Sequence, residues 1–193
     1  MEASERAYVL DRLTENRGKL LDSVNGLTVE QWEFRPAGGR WSIADCVEHI
    51  VLVESRILKS IGKVLDREPQ PEKKADVAGK DACLKDGTAL DRSRRFNTPA
   101  ALEPKKTWKE PSALLSEFES TRVRTIEFIL SSEGDLRSHF FQHIAFGDLD
   151  CCQWLMLLPV HCERHMAQIE EIKSEAGFPH HSFQNNSASD LRT

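Results

Sequence analysis

The stretch "LLPVHCERHMAQIEEI", Leu157–Ile172, decides how this chain folds. Its apolar pattern extends both ways as Leu155, Leu158, Cys162, His165, Ile169, Ile172 and Ala176, in alternating steps of three and four. That is the seam of a helix packed in a bundle. One seam position is a histidine, and His161 stands four residues before it. A buried neutral imidazole has a donor and an acceptor to satisfy, so two of them in an apolar seam need something to hold them. At ~100° per residue the rings are separated by ~40° and a rise of ~6 Å, so both can reach one point. HxxxH also arises by chance on helices, and spacing alone does not make it a metal site. The helix is expected from near Asp148 to Ala176, with Gly177 as terminator. Pro159 predicts a kink or a missing hydrogen bond just before His161.

Working outward, three more long amphipathic segments appear. The first is expected from Ser4 or Glu5 to about Asn25, capped by Ser4 and stopped by Gly26, with Leu10, Leu13, Leu20 and Val24 on one face. A short helix follows, in which Thr28 and Gln31 form a capping box and Trp32 and Phe34 are the apolar payload. The second long helix opens at "WSIADCVEHIVLVESRIL" with Ser42 as N-cap and Asp45 at the positive end of the dipole, and should end near Asp66. Its stripe is Ile43, Cys46, Ile50, Val53, Ile57 and Val64. The third is expected after Pro111, capped by Ser112, to about Ser132, with Leu115, Phe118, Ile126 and Ile129 as its seam. No strand is expected. The fold class is therefore all-α, a four-helix bundle, with the long Arg67–Pro111 connection as a crossover between the second and third long helices. That connection is poor in apolar residues, with room for short helices and for a segment draped over a site. Residues 1–178 form one domain, and 179–193 a polar, disordered tail.

The 193 residues are 39% apolar and 30% charged, an ordinary globular composition, and the net charge of −5 offers no general footprint for nucleic acid. The basic pairs and triplets Lys105-Lys106 and Arg92, Arg94 and Arg95 stand among acidic residues and read as solvated loop. "MEASERAYVLDRL" lacks the apolar core of a signal peptide, and Trp154–Val160 is too short to span a bilayer, so a cytoplasmic protein without membrane contact is expected. The five cysteines match no disulfide or zinc-finger spacing and should be thiols.

A third ligand for a shared cation is available in His49. It lies three residues after Cys46 and four before Val53, hence on the inner flank of the second long helix. Three histidines leave coordination positions open, as catalytic sites do. Imidazoles suit Zn²⁺, Ni²⁺ and Fe²⁺ alike. Gln168, three residues after His165, can orient its ring or simply edge the seam. Cys46 and Cys162 read as small apolar residues rather than ligands. Arg17 and Arg122 interrupt apolar stripes; they either face a pocket and grip a carboxylate, or snorkel and pair with a nearby Glu. His139, His180 and His181 read as surface residues.

"WSIADCVEHIVLVE", Trp41–Glu54, resembles the W-S…H opening of the second helix in the DinB/YfiT-like superfamily. "HIAFGDLDCCQWLMLLPVHCERHMAQIEEI", His143–Ile172, resembles that family's H-x-x-x-G … H-x-x-x-H-x-x-Q-I ending. The resemblance implies a four-helix bundle, often a homodimer, holding a divalent metal on His49, His161 and His165. It makes His143 either a pocket residue or a loop-packing one. It implies a metal-dependent hydrolase or a thiol-dependent S-transferase acting on a small molecule, with a low-molecular-weight thiol as partner. No general base is evident: Glu48 and Glu163 adjoin ligands in sequence but should point a quarter-turn or more away. The other reading is a non-catalytic binding or stress-response module with a structural metal or none. Pro159 beside the ligands and the long connection depart from the family pattern and leave the pocket's shape open.

Overall fold

A computed structural model describes residues 1–85, 91 and 98–179. Residues 180–193 of the tail expected over 179–193, with His180 and His181 in it, and the Arg92, Arg94 and Arg95 cluster lie outside the described residues.

Four long helices form the bundle: α1 (Ala3–Val24), α3 (Ile43–Leu65), α6 (Pro111–Ser131) and α7 (Cys151–Lys173). Between them lie the short helices α2 (Val29–Glu33), α4 (Lys74–Val77) and α5 (Lys80–Lys85), with 3-10 turns at Pro71–Lys73 and Ala100–Leu102. α1 packs on α6 and α7, and α3 packs on the same two. Thus α1 and α3, consecutive long helices, stand on a diagonal, and the connection from α3 to α6 crosses between neighbours. This is the expected four-helix bundle with its crossover.

The local signals explain most boundaries. Ser42 accepts the Asp45 N–H while Asp45 accepts the Ser42 N–H at 2.8 Å, closing a capping box at the start of α3. Thr28 and Gln31 do the same for α2. Other expectations are corrected. α1 begins earlier, with Glu2 at the N-cap position and Glu5 accepting its N–H at 2.8 Å, so Ser4 lies inside the helix. α6 is opened by Pro111 in its first turn, with Glu110 rather than Ser112 at the cap. Its buried face is Leu114, Phe118, Thr121, Arg122, Thr125 and Ile129, so Leu115 and Ile126 flank the seam instead of forming it.

The chain also contains strands. β1 (Phe140–His143) and β2 (Gly147–Asp150) pair antiparallel, Phe140 opposite Asp150 and His143 opposite Gly147. Gly147 takes φ 67°, which a residue with a Cβ resists. α7 consequently starts at Cys151, with Asp150 as N-cap accepting the Gln153 N–H at 2.7 Å, and it ends at Lys173, before Gly177.

The interior divides into two apolar clusters. One gathers Leu13, Ile57, Ile61, Ile129 and Leu155; the other gathers Leu20, Ile43, Ile50, Phe118 and Ile169. A buried polar layer separates them. Arg122 on α6 forms a bidentate pair with Glu54 on α3 (3.0 and 2.9 Å) and donates to the Leu13 carbonyl on α1 at 2.7 Å. Thr125 donates to the same carboxylate at 2.7 Å. Asn16 on α1 reaches the carbonyl of Pro159 on α7 at 3.0 Å. Among the described residues no helix is long and apolar enough to cross a membrane, and none of the five cysteines is in a disulfide.

Candidate metal centre

α3 and α7 are neighbours, and their contact brings His49 against His161 and His165. The His49 and His161 Nε2 atoms are 3.3 Å apart, and those of His161 and His165 are 3.2 Å apart. One ligand atom from each of the three rings lies within 4.8 Å of the others. His49 and His165 are buried, at 6% and 8% exposure, and His161 is partly exposed.

The outward nitrogens fix what the inward ones are. His49 Nδ1 lies 2.9 Å from the Leu102 carbonyl, which can only accept, so Nδ1 carries the proton and Nε2 the lone pair. His165 Nδ1 likewise faces Gln168 Oε1 at 3.2 Å. Two lone pairs therefore converge on His161 Nε2, which can donate to only one of them. A cation satisfies all three at once. Nitrogens bound at ~2.05 Å with tetrahedral angles stand about 3.3 Å apart, which the His49–His161 and His161–His165 separations match; the three ligand atoms all lie within 4.8 Å of one another, so a small side-chain adjustment brings the set onto one divalent ion. The donor set fits the metal that the sequence resemblance implies.

The surroundings favour neutral rings at His49 and His161. Burial lowers the His49 pKa despite the Leu102 carbonyl, which favours the charged ring. Burial again lowers His161, well below the usual imidazole range, reinforced by the other two rings, His143 and Arg164. Neutral imidazoles are the metal-binding form. Trp41 covers the cluster, stacking on His165 at 5.9 Å between centroids and leaning on His49 at 4.8 Å.

The sequence model of the DinB superfamily matches residues 12–169, most of the chain. The chain belongs to the DinB superfamily. Among curated proteins it is similar to the uncharacterized protein YuaE of Bacillus subtilis (strain 168), with 26% identity over 164 residues, 83% of this chain and 94% of that protein. Among solved structures it is similar to YfiT from Bacillus subtilis, described as a probable metal-dependent hydrolase with an unusual four-helix bundle topology. That likeness has a TM-score of 0.57 and 17% identity over 90% of this chain and 88% of the other, and is one of fold.

Within this DinB-type bundle the remaining site candidates separate. Gln168 touches His165, as above. His143 closes β1, and its Nδ1 accepts the N–H groups of Ala145 (3.0 Å) and Phe146 (3.2 Å). Its neutral ring therefore presents Nε2–H. It packs on Phe146 and Trp154 at 4.8 and 5.1 Å, and burial lowers its pKa to about 4. Arg122 and Arg17 do not serve as carboxylate grips. Arg122 is fully buried on Glu54, and Arg17 pairs with Glu119 near the surface. Cys162 stays a thiol, pushed up to about 11 by burial, and the clustered ligand atoms are all imidazole. His139, expected at the surface, is buried at 8% exposure between the carbonyls of Asp135 and Arg67.

Three contributors were not singled out from sequence. Trp41 stood only as the flank of a motif. Leu102 acts through its carbonyl, which no side-chain pattern announces. Glu54 had a readable signal: it sits four after Ile50 and three before Ile57, an acid in an apolar stripe opposite the arginine interrupting another.

Proposed function

We propose that His49, His161 and His165 hold a divalent ion, Zn²⁺, Ni²⁺ or Fe²⁺, and that the protein is a metal-dependent enzyme acting on a small molecule. The observation that carries this is the convergence of the His49 and His165 Nε2 atoms on that of His161, at 3.3 and 3.2 Å, with their own Nδ1 atoms turned outward onto acceptors. A bound divalent ion supplies Lewis acidity, which polarises an oxygen or draws the proton from a coordinated thiol or water.

The chain's own residues favour thiol-dependent S-transfer. Both carboxylates next to the ligands in sequence are engaged elsewhere. Glu48 accepts the backbone N–H groups of Lys105, Lys106 and Thr107, and Glu163 pairs with Arg12 and accepts from Asn16. A thiol nucleophile activated by coordination needs no such base. His143 can donate its Nε2 proton in a hydrogen bond while its Nδ1 is held by two amides. Trp41 shields one flank of the cluster from water. Metal-dependent hydrolysis is the second reading, supported by the description of the YfiT structure. A homodimer accompanies both readings by family resemblance.

The test is a paired screen on metal-loaded protein. Glutathione-, bacillithiol- and mycothiol-type thiols are offered with electrophiles, and esters and amides are offered without thiol. Turnover in the first set that is lost in His49→Ala supports S-transfer, and turnover only in the second supports hydrolysis. Stoichiometric metal with turnover in neither would move the protein to a binding module.

A further inference from the structure

The segment from Pro99 to Trp108 lies across α3 as a strap with two attachments. At one, the Leu102 carbonyl accepts the His49 Nδ1 proton at 2.9 Å. At the other, three successive N–H groups converge on a single carboxylate, that of Glu48. Lys105 and Thr107 donate to Oε1 at 3.2 and 3.1 Å, and Lys106 donates to Oε2 at 2.9 Å. The convergence requires an unusual backbone, and Lys106 supplies it with φ 56°. Consecutive amides turned inward in this way form a nest for an anion, here a side chain of the same protein. Lys106 also pairs with Glu33, and Trp108 packs against the apolar cluster around Phe118.

Glu48 is 2% exposed. A buried carboxylate is costly without such bonds, so holding a loop is one sufficient reason for its place. The geometry carries a second. Glu48 and His49 are adjacent on α3, and the strap groups that meet them are only three residues apart. The anchor therefore sets where the Leu102 carbonyl falls, and that carbonyl sets which His49 nitrogen carries the proton. Freed from it, the ring can turn or move its proton to Nε2, against the His161 nitrogen 3.3 Å away.

We infer that Glu48 is a positioning residue for the metal centre: by clamping the 105–107 amides it holds the Leu102 carbonyl on His49 and keeps the Nε2 lone pair aimed at the cluster. The inference rests on the metal reading given above. It also makes metal and strap reciprocal, because whatever stabilises the His49 tautomer stabilises the strap by the same factor.

The experiment compares untagged wild type with Glu48→Gln. The amide offers one acceptor oxygen and turns an NH₂ toward donors, so the strap loses bonds and their charge assistance. Four readouts are taken: helical circular dichroism, hydrogen exchange at residues 105–107, the ring-nitrogen spectrum of the metal-free histidines, and Zn²⁺ affinity by chelator competition. The expected result is a helical variant with exchange at least ~10-fold faster at 105–107, a His49 no longer held as the Nδ1–H tautomer, and Zn²⁺ affinity down ~10–100-fold. A folded variant whose amides have opened while the His49 tautomer and Zn²⁺ affinity stay at wild-type values overturns the inference. So does unchanged exchange at 105–107. If the variant does not fold, wild type decides: Zn²⁺ must slow exchange at 105–107, and no slowing overturns the inference. Failure of wild type to bind Zn²⁺ defeats the metal reading instead, and the tautomer readout in the metal-free variant then decides the role of Glu48 separately.

Discussion

Glu54 and Arg122 meet in a bidentate pair at 3.0 and 2.9 Å, with side-chain exposures of 3% and 0%, where α3 crosses α6. The pair lies between the two apolar clusters and is completed by Thr125 and the Leu13 carbonyl. The bundle thus carries a hydrogen-bonded polar layer through its middle. Glu54 follows His49 on α3 by five residues, a rise of ~7.5 Å, so this layer sits little more than one helical turn from the ligand cluster.

Breaking that layer from one side should be severe. Arg122→Ala leaves the Glu54 carboxylate buried without its partner and should cost ~3–5 kcal/mol in urea unfolding followed by circular dichroism. Replacing both members with apolar residues of similar volume, Glu54→Leu with Arg122→Met, should recover most of that loss. Arg17→Ala, which removes an ion pair near the surface, should cost no more than ~1 kcal/mol. Equal costs for Arg122→Ala and Arg17→Ala would contradict the layer's role.

Acid should destabilise the metal-free protein through its histidines. His143 has a folded pKa of about 4, and His49 and His161 are also lowered, against ~6.5 in an unfolded chain. Between ~6.5 and each folded value the unfolded state binds more protons, so stability falls as pH drops below ~6.5, and the share owed to His143 is fully lost once pH passes below about 4. His143→Asn, which keeps a side-chain acceptor for the 145 and 146 amides, should flatten part of this slope in denaturant melts at stepped pH. A variant with the full wild-type slope would show that His143 contributes none of it.

Trp41 should report the metal directly. Its ring stacks on His165 and leans on His49, so adding Ni²⁺ should quench tryptophan emission in a saturable, stoichiometric titration. Trp41→Phe keeps an aromatic cover and should abolish most of the quench while Ni²⁺ still binds by calorimetry. Full quenching in Trp41→Phe would place the signal at another tryptophan.

Gln168 fixes the outward nitrogen of His165 at 3.2 Å. Gln168→Leu should lower Zn²⁺ affinity ~10-fold with little change in melting temperature, and Gln168→Glu should restore or raise it, because a carboxylate accepts the same proton. An affinity untouched by Gln168→Leu would mean the ring is held by packing alone.

What could be read from the sequence was local or periodic. Ser42 with Asp45 and Thr28 with Gln31 announce helix starts through contacts three residues long, and those starts stand where expected. The three-four seam of Leu155 through Ile172 gives a buried face and puts His165 in it. His49 and His161 followed from the same counting. The β1–β2 hairpin was hidden because strands of four residues are too short to show alternation, and Gly147 was its one local mark. Ser4 and Ser112 looked like caps, but Glu5 supports an earlier start and Pro111 opens α6 unaided. The Leu102 carbonyl reaches His49 across 53 residues of sequence, a meeting that depends on tertiary packing and that neither period nor capping encodes.

The most direct test is divalent metal content of untagged protein, wild type against His49→Ala, with melting temperature measured before and after chelation. The account predicts a single ion per wild-type chain, a fall in melting temperature when it is stripped, and a folded His49→Ala variant that retains little metal. Wild-type protein that takes up no Zn²⁺, Ni²⁺ or Fe²⁺ and melts at the same temperature with chelator would contradict it.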